Sequence, residues 1–117
     1  MEFNKLFFTL RQWPCHLAKS IAIDFNAKSV EVSSAGNTLV LSCGSGEFSR
    51  LTEALQKCGL ESWSSMDAPV LDGTVWSLEL YSGNRRISFC QGIDRFPPRW
   101  EEFMKIVAPG FRKLREF

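Results

Sequence analysis

Apolar residues fall at every second position through the middle of the chain, which is the pattern of half-buried β-strands. Three successive segments share this alternation: Ile21, Ile23 and Phe25; Val30 and Val32; Leu39 and Leu41. Gly36-Asn37, between the second and third segments, tolerates the positive φ angles of a tight turn. The pattern therefore predicts three antiparallel strands joined by short turns.

A second hairpin is predicted after residue 73. The apolar residues of its first strand again alternate: Trp76, Leu78 and Leu80. Gly83-Asn84 marks the turn. In the strand that follows, alternation places Ile87 and Phe89 on one face, and Arg86 and Ser88 on the other.

Helical spacing occurs at three places. Near the N-terminus, residues spaced i, i+3, i+4 and i+7 predict a helix over 3–11 that ends before Pro14: Phe3, Leu6, Phe7 and Leu10. A strand is the alternative there, because Phe7 and Phe8 are adjacent and aromatic residues favour strands.

The other two predicted helices have clearer ends. Phe48, Leu51 and Leu55 form one apolar face, and Gly59 stops that helix. Pro97-Pro98 suits the first turn of a last helix, which Pro109-Gly110 should end. The apolar face of this last helix has three members: Trp100, Phe103 and Val107.

The two halves of the chain resemble each other. The two Gly-Asn turns are 47 residues apart, and so are Cys43 and Cys90. Each turn joins two strands that are followed by a helix, as an internal duplication would produce. The sequence thus predicts an α+β fold in ββαββα order. Its antiparallel sheet has four or five strands, its two hairpins join edge to edge, and two helices cover one face.

Size and composition are those of a single domain over residues 1–117. Apolar residues make up 44% of the chain and charged residues 23%, which excludes a disordered segment. No apolar run approaches the roughly 18 residues of a membrane span. The N-terminus lacks the pattern of a secretory signal, which predicts a cytoplasmic protein whose four cysteines are buried thiols.

Candidate catalytic chemistry is sparse. His16 is the only histidine, and no Cys-x-x-Cys pair exists, so zinc ligand sets are not expected. Gly44-Ser45-Gly46 lacks the lysine of a phosphate-binding loop and is interpreted as a plain turn. The sequence therefore predicts a protein that is not an enzyme and that carries no metal or cofactor.

Charge is distributed unevenly along the chain. Residues 1–84 hold six Lys/Arg and nine Asp/Glu, and residues 85–117 hold eight and four, a net of −3 against +4. One hypothesis is a basic rim that binds RNA, DNA or an acidic protein. The alternative is a set of solvated arginines, some of them paired with Glu79 or Asp94. The basic residues concerned are Arg85, Arg86, Arg95, Arg99, Lys105, Arg112, Lys113 and Arg115.

A stretch near the C-terminus resembles a family of small bacterial proteins. Its residues are Asp72-Gly73-Thr74-Val75-Trp76-Ser77-Leu78-Glu79-Leu80, then Gly83, Gly92, Pro97-Pro98, Trp100 and Phe103. It is similar to immunity proteins of contact-dependent and related toxin systems. The resemblance implies a cytosolic protein that neutralises a cognate toxin by binding it. Many such proteins are strongly acidic, whereas this chain has a net charge of +1, which argues against a nuclease target.

The first hypothesis is thus a non-catalytic protein-binding module that occludes the active site of a toxin. The residues expected to contact the partner are Trp63 in a loop, Tyr81, and the three arginines Arg85, Arg86 and Arg95. The second hypothesis is a nucleic-acid-associated protein that uses the C-terminal basic residues. A sheet with one uncovered face leaves a homodimer open as well.

Overall fold

The chain folds into one antiparallel sheet packed against two α-helices. A computed structural model describes residues 3–12, 17–34, 36–41, 44–66 and 73–116. The sheet order is β4-β3-β2-β1-β5-β6, and a turn of 3-10 helix, Leu60–Ser62, follows the first α-helix. The elements are β1 (Lys5–Gln12), β2 (Lys19–Asp24), β3 (Ser29–Ser34), β4 (Asn37–Leu41), α1 (Ser45–Gln56), β5 (Thr74–Ser82), β6 (Arg85–Ile93) and α2 (Trp100–Glu116).

The predicted N-terminal helix is wrong, and the strand alternative is confirmed. β1 is the third strand from one edge of the sheet and pairs with β2 on one side and β5 on the other. Its buried residues are those of a strand, at every second position: Leu6, Phe8 and Leu10. Phe7 lies on the opposite face of the strand. The helical spacing is therefore accidental: it arises because β1 carries large apolar residues on both of its faces.

The α+β class is confirmed, but the strand number and order differ from the prediction. Six strands are present among the described residues, in the order ββββαββα. The two predicted hairpins, β3–β4 and β5–β6, both form and are each followed by a helix. They do not join edge to edge, because β1 and β2 lie between them.

The helices predicted to follow the two hairpins are both present, as α1 and α2, but α2 is longer than expected. Pro109 lies inside α2 and does not end it. Phe111, two residues further, is buried in the core, and Gly110 approaches β3 so closely that an added Cβ atom would lie 3.1 Å from Cγ1 of Val32. Packing of this last part of α2 against the sheet thus outweighs the loss of one backbone hydrogen bond.

The core lies between the helices and one face of the sheet. Phe48 and Leu55 of α1, and Phe103 and Val107 of α2, belong to the same buried cluster as the strand residues. The predicted core position of Trp76 is confirmed, since its side chain is fully buried. Neither described helix is long and apolar enough to cross a membrane.

Candidate protein-binding surface

The sheet face opposite the core is covered by no helix among the described residues; we call it the open face. The strand register arranges its side chains in three rows that run across the sheet. The rows are Ser29, Asp24, Lys5, Tyr81 and Arg86; then Val40, Glu31, Ala22, Phe7, Glu79 and Phe89; then Thr38, Ser33, Ser20, Thr9, Ser77 and Gln91.

At the β6 end of the open face, an arginine, a carboxylate and an aromatic ring form one exposed group. The Arg86 guanidinium lies 5.1 Å from the centre of the Phe89 ring, and its Nη1 donates to Oε1 of Glu79 at 3.0 Å. Phe89 is 44% exposed. The sequence-based pairing of an arginine with Glu79 is thereby confirmed, and the ion pair holds Arg86 over the ring.

Tyr81 adjoins this group as the cross-strand partner of Arg86, and Ile87, at the register shift next to Arg86, is 40% exposed. Tyr81, Arg86, Ile87 and Phe89 make up what we call the β6 patch. Arg85 pairs with Ser82, so the alternation of the strand places it on the face opposite to Arg86. The structure thus brings together two of the five residues predicted to contact a partner, Tyr81 and Arg86.

The sequence predicted Phe89 and Arg86 on opposite faces of β6, and this prediction is wrong. Arg86 and Phe89 share the open face, because the register of β5 and β6 shifts between Leu80 and Tyr81. A bulge places an extra residue in one strand and so changes which positions share a face. This is why Ile87 and Phe89 were not recognised as surface residues, although alternation correctly marked them as apolar members of a strand.

Two further predicted contact residues lie elsewhere. Trp63 is only 5% exposed: its ring packs against Trp76 and Phe103, and its Nε1 donates to the carbonyl of Pro98 at 3.1 Å. The expectation that Trp63 anchors a partner is therefore corrected, since a core position satisfies both its ring and its N–H group. Arg95 is exposed, but it lies beyond the far end of β6 and outside the β6 patch.

A shallow groove of about 470 Å³ crosses the centre of the open face. Ala22 lines the groove, and its methyl group is smaller than the side chains of its cross-strand neighbours, Phe7 and Glu31. Phe7 and Tyr81 border it on one side, and Glu31 borders it on the other. The groove is the part of the open face where a bulky side chain from outside would fit.

The predicted basic rim is divided between the two layers of the fold. Arg85 and Arg86 belong to β6, whereas Arg99 and Lys105 line a groove of about 390 Å³ between α1 and α2. Arg50 and Lys57 of the α1 region complete the cations of this second groove, where Nη1 of Arg99 donates to the carbonyl of Lys57 at 2.8 Å. These four C-terminal cations therefore do not form a single surface.

Two thiols are buried in the described part of the chain. Burial raises the pKa of Cys90 to about 11. The pKa of Cys58 is raised as well, first by burial and then by the nearby Glu102 carboxylate, while Arg99 acts in the opposite direction. Both thiols are thus protonated at neutral pH, as expected of buried cysteines.

Two residues considered in the sequence analysis, His16 and Cys43, lie outside the described residues, as does Cys15, another of the four cysteines. Among the residues that are described, no group of three His, Cys, Asp or Glu side chains could hold a metal ion. Comparison of the chain with protein-family models, with curated proteins and with solved structures gives no match.

Proposed function

We propose that the protein is a non-catalytic binding module that recognises another protein through the β6 patch on the open face of its sheet. The observation that carries the proposal is the exposed Phe89 ring with Arg86 held over it by Glu79. Aromatic residues and arginine dominate the binding energy of protein interfaces. A ring that is 44% exposed in the free chain would be desolvated in such a contact.

The position of the patch on the fold supports this proposal. β6 is an edge strand, so a partner can approach from the side as well as from above the open face. Backbone groups on the free side of an edge strand are available for hydrogen bonds to an added chain. Within the described part of the chain, the far end of β6 is engaged: the N–H of Met66 donates to the carbonyl of Gln91 at 2.8 Å, and the N–H of Gln91 donates to Oγ of Ser65 at 3.2 Å.

In its most concrete form, the module is an immunity protein of the bacterial cytoplasm that neutralises a cognate toxin by covering its active site. The support is the resemblance of the stretch from Asp72 to Phe103, which includes β5 and β6. Occlusion requires a preformed surface and no chemistry. A tight stoichiometric complex without turnover is the expected behaviour.

The test is capture of partners from a lysate of the source organism after nuclease treatment. The bait is the tagged chain, compared with Arg86→Ala and Phe89→Ala. Phe96→Ala is the matched control, because Phe96 is also exposed (42%) but packs on Trp100, with ring centres 4.8 Å apart. One protein retained in stoichiometric amount by the wild type and by Phe96→Ala, and lost from both β6-patch variants, is the expected result.

Equal retention by all four baits would contradict the assignment of the β6 patch. Retention of no protein by any bait would contradict the binding function in that organism's lysate. The binding site, rather than the overall fold, is tested here, because Arg86 and Phe89 are surface residues whose loss leaves the core intact.

A second candidate is association with nucleic acid, favoured by the basic groove between α1 and α2. Four cations line it against two carboxylates: Arg50, Lys57, Arg99 and Lys105 against Glu53 and Glu102. Binding of this kind falls steeply with salt, because phosphate contacts release counterions. Nucleic acid retained by the wild type at low salt and lost from Arg50→Glu, with no protein retained, would favour this candidate over the first.

A further inference from the structure

We infer that the open face also pairs with a second copy of this chain, face to face, about a two-fold axis roughly parallel to the strands. The axis passes between β1 and β2, the middle of the sheet. Under this symmetry, β1 faces β2 of the second copy, β5 faces β3, and β6 faces β4. The inference rests on the proposed function only in that both use the open face.

The centre of this arrangement joins a large residue to a small one. Phe7 of one copy faces Ala22 of the other, and the symmetry makes the contact twice. Ala22 is a small residue that lines the groove of about 470 Å³, so the opposing Phe7 ring has a space to enter. Because Phe7 and Ala22 are cross-strand partners within one chain, ring and groove lie side by side, as a self-complementary pair requires.

The neighbouring row brings opposite charges together. Lys5 and Asp24 are cross-strand partners at the centre of the open face, and each faces the other residue in the second copy. Oδ1 of Asp24 accepts from the N–H groups of Asn26 and Ala27 at 3.0 Å, which fixes the carboxylate in place. Its second oxygen is available to the opposing ammonium group.

The ends of the central row match as well. Val40, 64% exposed on the β4 edge, faces Phe89 on the β6 edge of the second copy. Glu31 faces Glu79, and this is the one pair of like charges. Glu79 is already neutralised by Arg86 at 3.0 Å, so Glu31 meets an ion pair and not a lone carboxylate.

The third row carries hydroxyl groups on five of the six strands and an amide on the sixth. The arrangement places Thr9 opposite Ser20, and Ser33 opposite Ser77. Every side chain in this row can both donate and accept a hydrogen bond. No buried donor or acceptor in this row is therefore opposed by an apolar group.

The size of the face predicts a weak dimer. Six strands about 4.8 Å apart and three rows of side chains about 6.8 Å apart give roughly 500–600 Å² per copy. Specific interfaces average about 800 Å² per partner. Interfaces of less than about 600 Å² per partner are typical of weak, transient complexes. Self-association should therefore depend on concentration, and aligned packing of two twisted sheets allows it without deformation.

The experiment is sedimentation velocity of the full chain from about 10 µM to about 1 mM. The wild type is compared with two variants that change the contact between Phe7 and Ala22. Ala22→Phe places two rings opposite each other, and Phe7→Ala leaves two small residues opposite each other. Each variant alone should associate about tenfold more weakly than the wild type. An equimolar mixture should regain wild-type association, because each ring then faces an alanine.

Two further variants test the dimer at positions away from the contact between Phe7 and Ala22. Val40→Asp, at a position already 64% exposed, should also weaken association about tenfold. Phe96→Ala, which removes an exposed ring on the helix side, should leave it unchanged. Circular dichroism confirms that each variant is folded.

A wild-type chain that stays monomeric over the whole range would overturn the inference, and so would a mixture that associates no better than its two components. A monomer leaves the capture experiment as the test of the proposed function. Conversely, dimers with the expected variant pattern would stand even if no heterologous partner were captured.

Discussion

Gly92 lies directly against the indole of Trp76, its partner on the neighbouring strand. A Cβ atom added to Gly92 would stand 2.6 Å from Nε1 of Trp76, closer than real Cβ contacts come. The indole is fixed by a hydrogen bond from Nε1 to the carbonyl of Arg95 at 2.7 Å. Both residues thus serve the fold.

Gly92→Ala should therefore destabilise the protein. The methyl group would displace Trp76 or bend β6, and overpacking of this kind costs about 1–3 kcal/mol of unfolding free energy. Urea unfolding measures the change. Gly46→Ala is the control, because nothing lies within 4 Å of an added Cβ atom there. Equal stability of Gly92→Ala and the wild type would show that the indole is free to move away.

Trp63→Phe should also be destabilising, by about 2–3 kcal/mol. It removes ring volume from the contact with Phe103, whose ring centre lies 5.1 Å away, and it leaves the carbonyl of Pro98 without its donor. Trp100→Phe, at a partly buried position, should cost less. A Trp63 variant with wild-type thermal stability would return Trp63 to the list of surface residues.

Pro109→Ala should raise the free energy of unfolding by about 1–3 kcal/mol, because alanine restores the backbone donor that proline lacks within α2. Far-UV circular dichroism should show unchanged or slightly higher helix content. A loss of stability would instead indicate that α2 needs the constrained φ of proline at this point.

Alkaline pH should weaken the fold through Cys90. The folded thiol has a pKa of about 11 against an ordinary value of 9.0, so the unfolded chain loses its proton first as the pH rises. The free energy of unfolding should fall between these two values, by at most about 1.4 kcal/mol per pH unit. Urea unfolding at several pH values measures the slope. Cys90→Ala should show a shallower slope than the wild type, and identical slopes would contradict the assignment.

Arg86→Ala should change stability by less than about 1 kcal/mol, since exposed ion pairs contribute little. Thermal unfolding gives the value. A larger loss would mean that the ion pair with Glu79 supports the sheet itself, and reduced partner capture by this variant could then reflect misfolding.

Local sequence patterns predicted most of the strands and both helices. They failed where contacts between residues far apart in the chain determine the secondary structure. β1 carried two patterns at once, since Leu6, Phe7 and Leu10 fit one face of a helix, while Leu6, Phe8 and Leu10 fit one face of a strand. Pairing with β5, far along the chain, selects the strand. Pro109 is a comparable case, because the burial of Phe111 beyond it is a tertiary effect that the dipeptide Pro-Gly does not reveal.

The candidate surface was predicted in part. Tyr81 and Arg86 follow from their place around the second hairpin, whereas Arg85, the partner of Ser82, lies on the other face of the sheet. Phe89 was missed because the register shift after Leu80 changes which β6 residues share a face. Trp63 was misplaced because nothing in the local sequence indicates the carbonyl of Pro98 as its hydrogen-bond partner.

The central place of β1 has a consequence for how the chain is made. β1 to β4 form three consecutive local hairpins, whereas the pairing of β1 with β5 joins residues 62 to 76 positions apart, from Gln12–Thr74 to Lys5–Tyr81. During synthesis, the first four strands can therefore assemble as soon as they leave the ribosome, with one edge of β1 still unpaired. That edge is open to other chains until β5 and β6 emerge, so delayed translation after residue 66 should increase aggregation of the nascent protein.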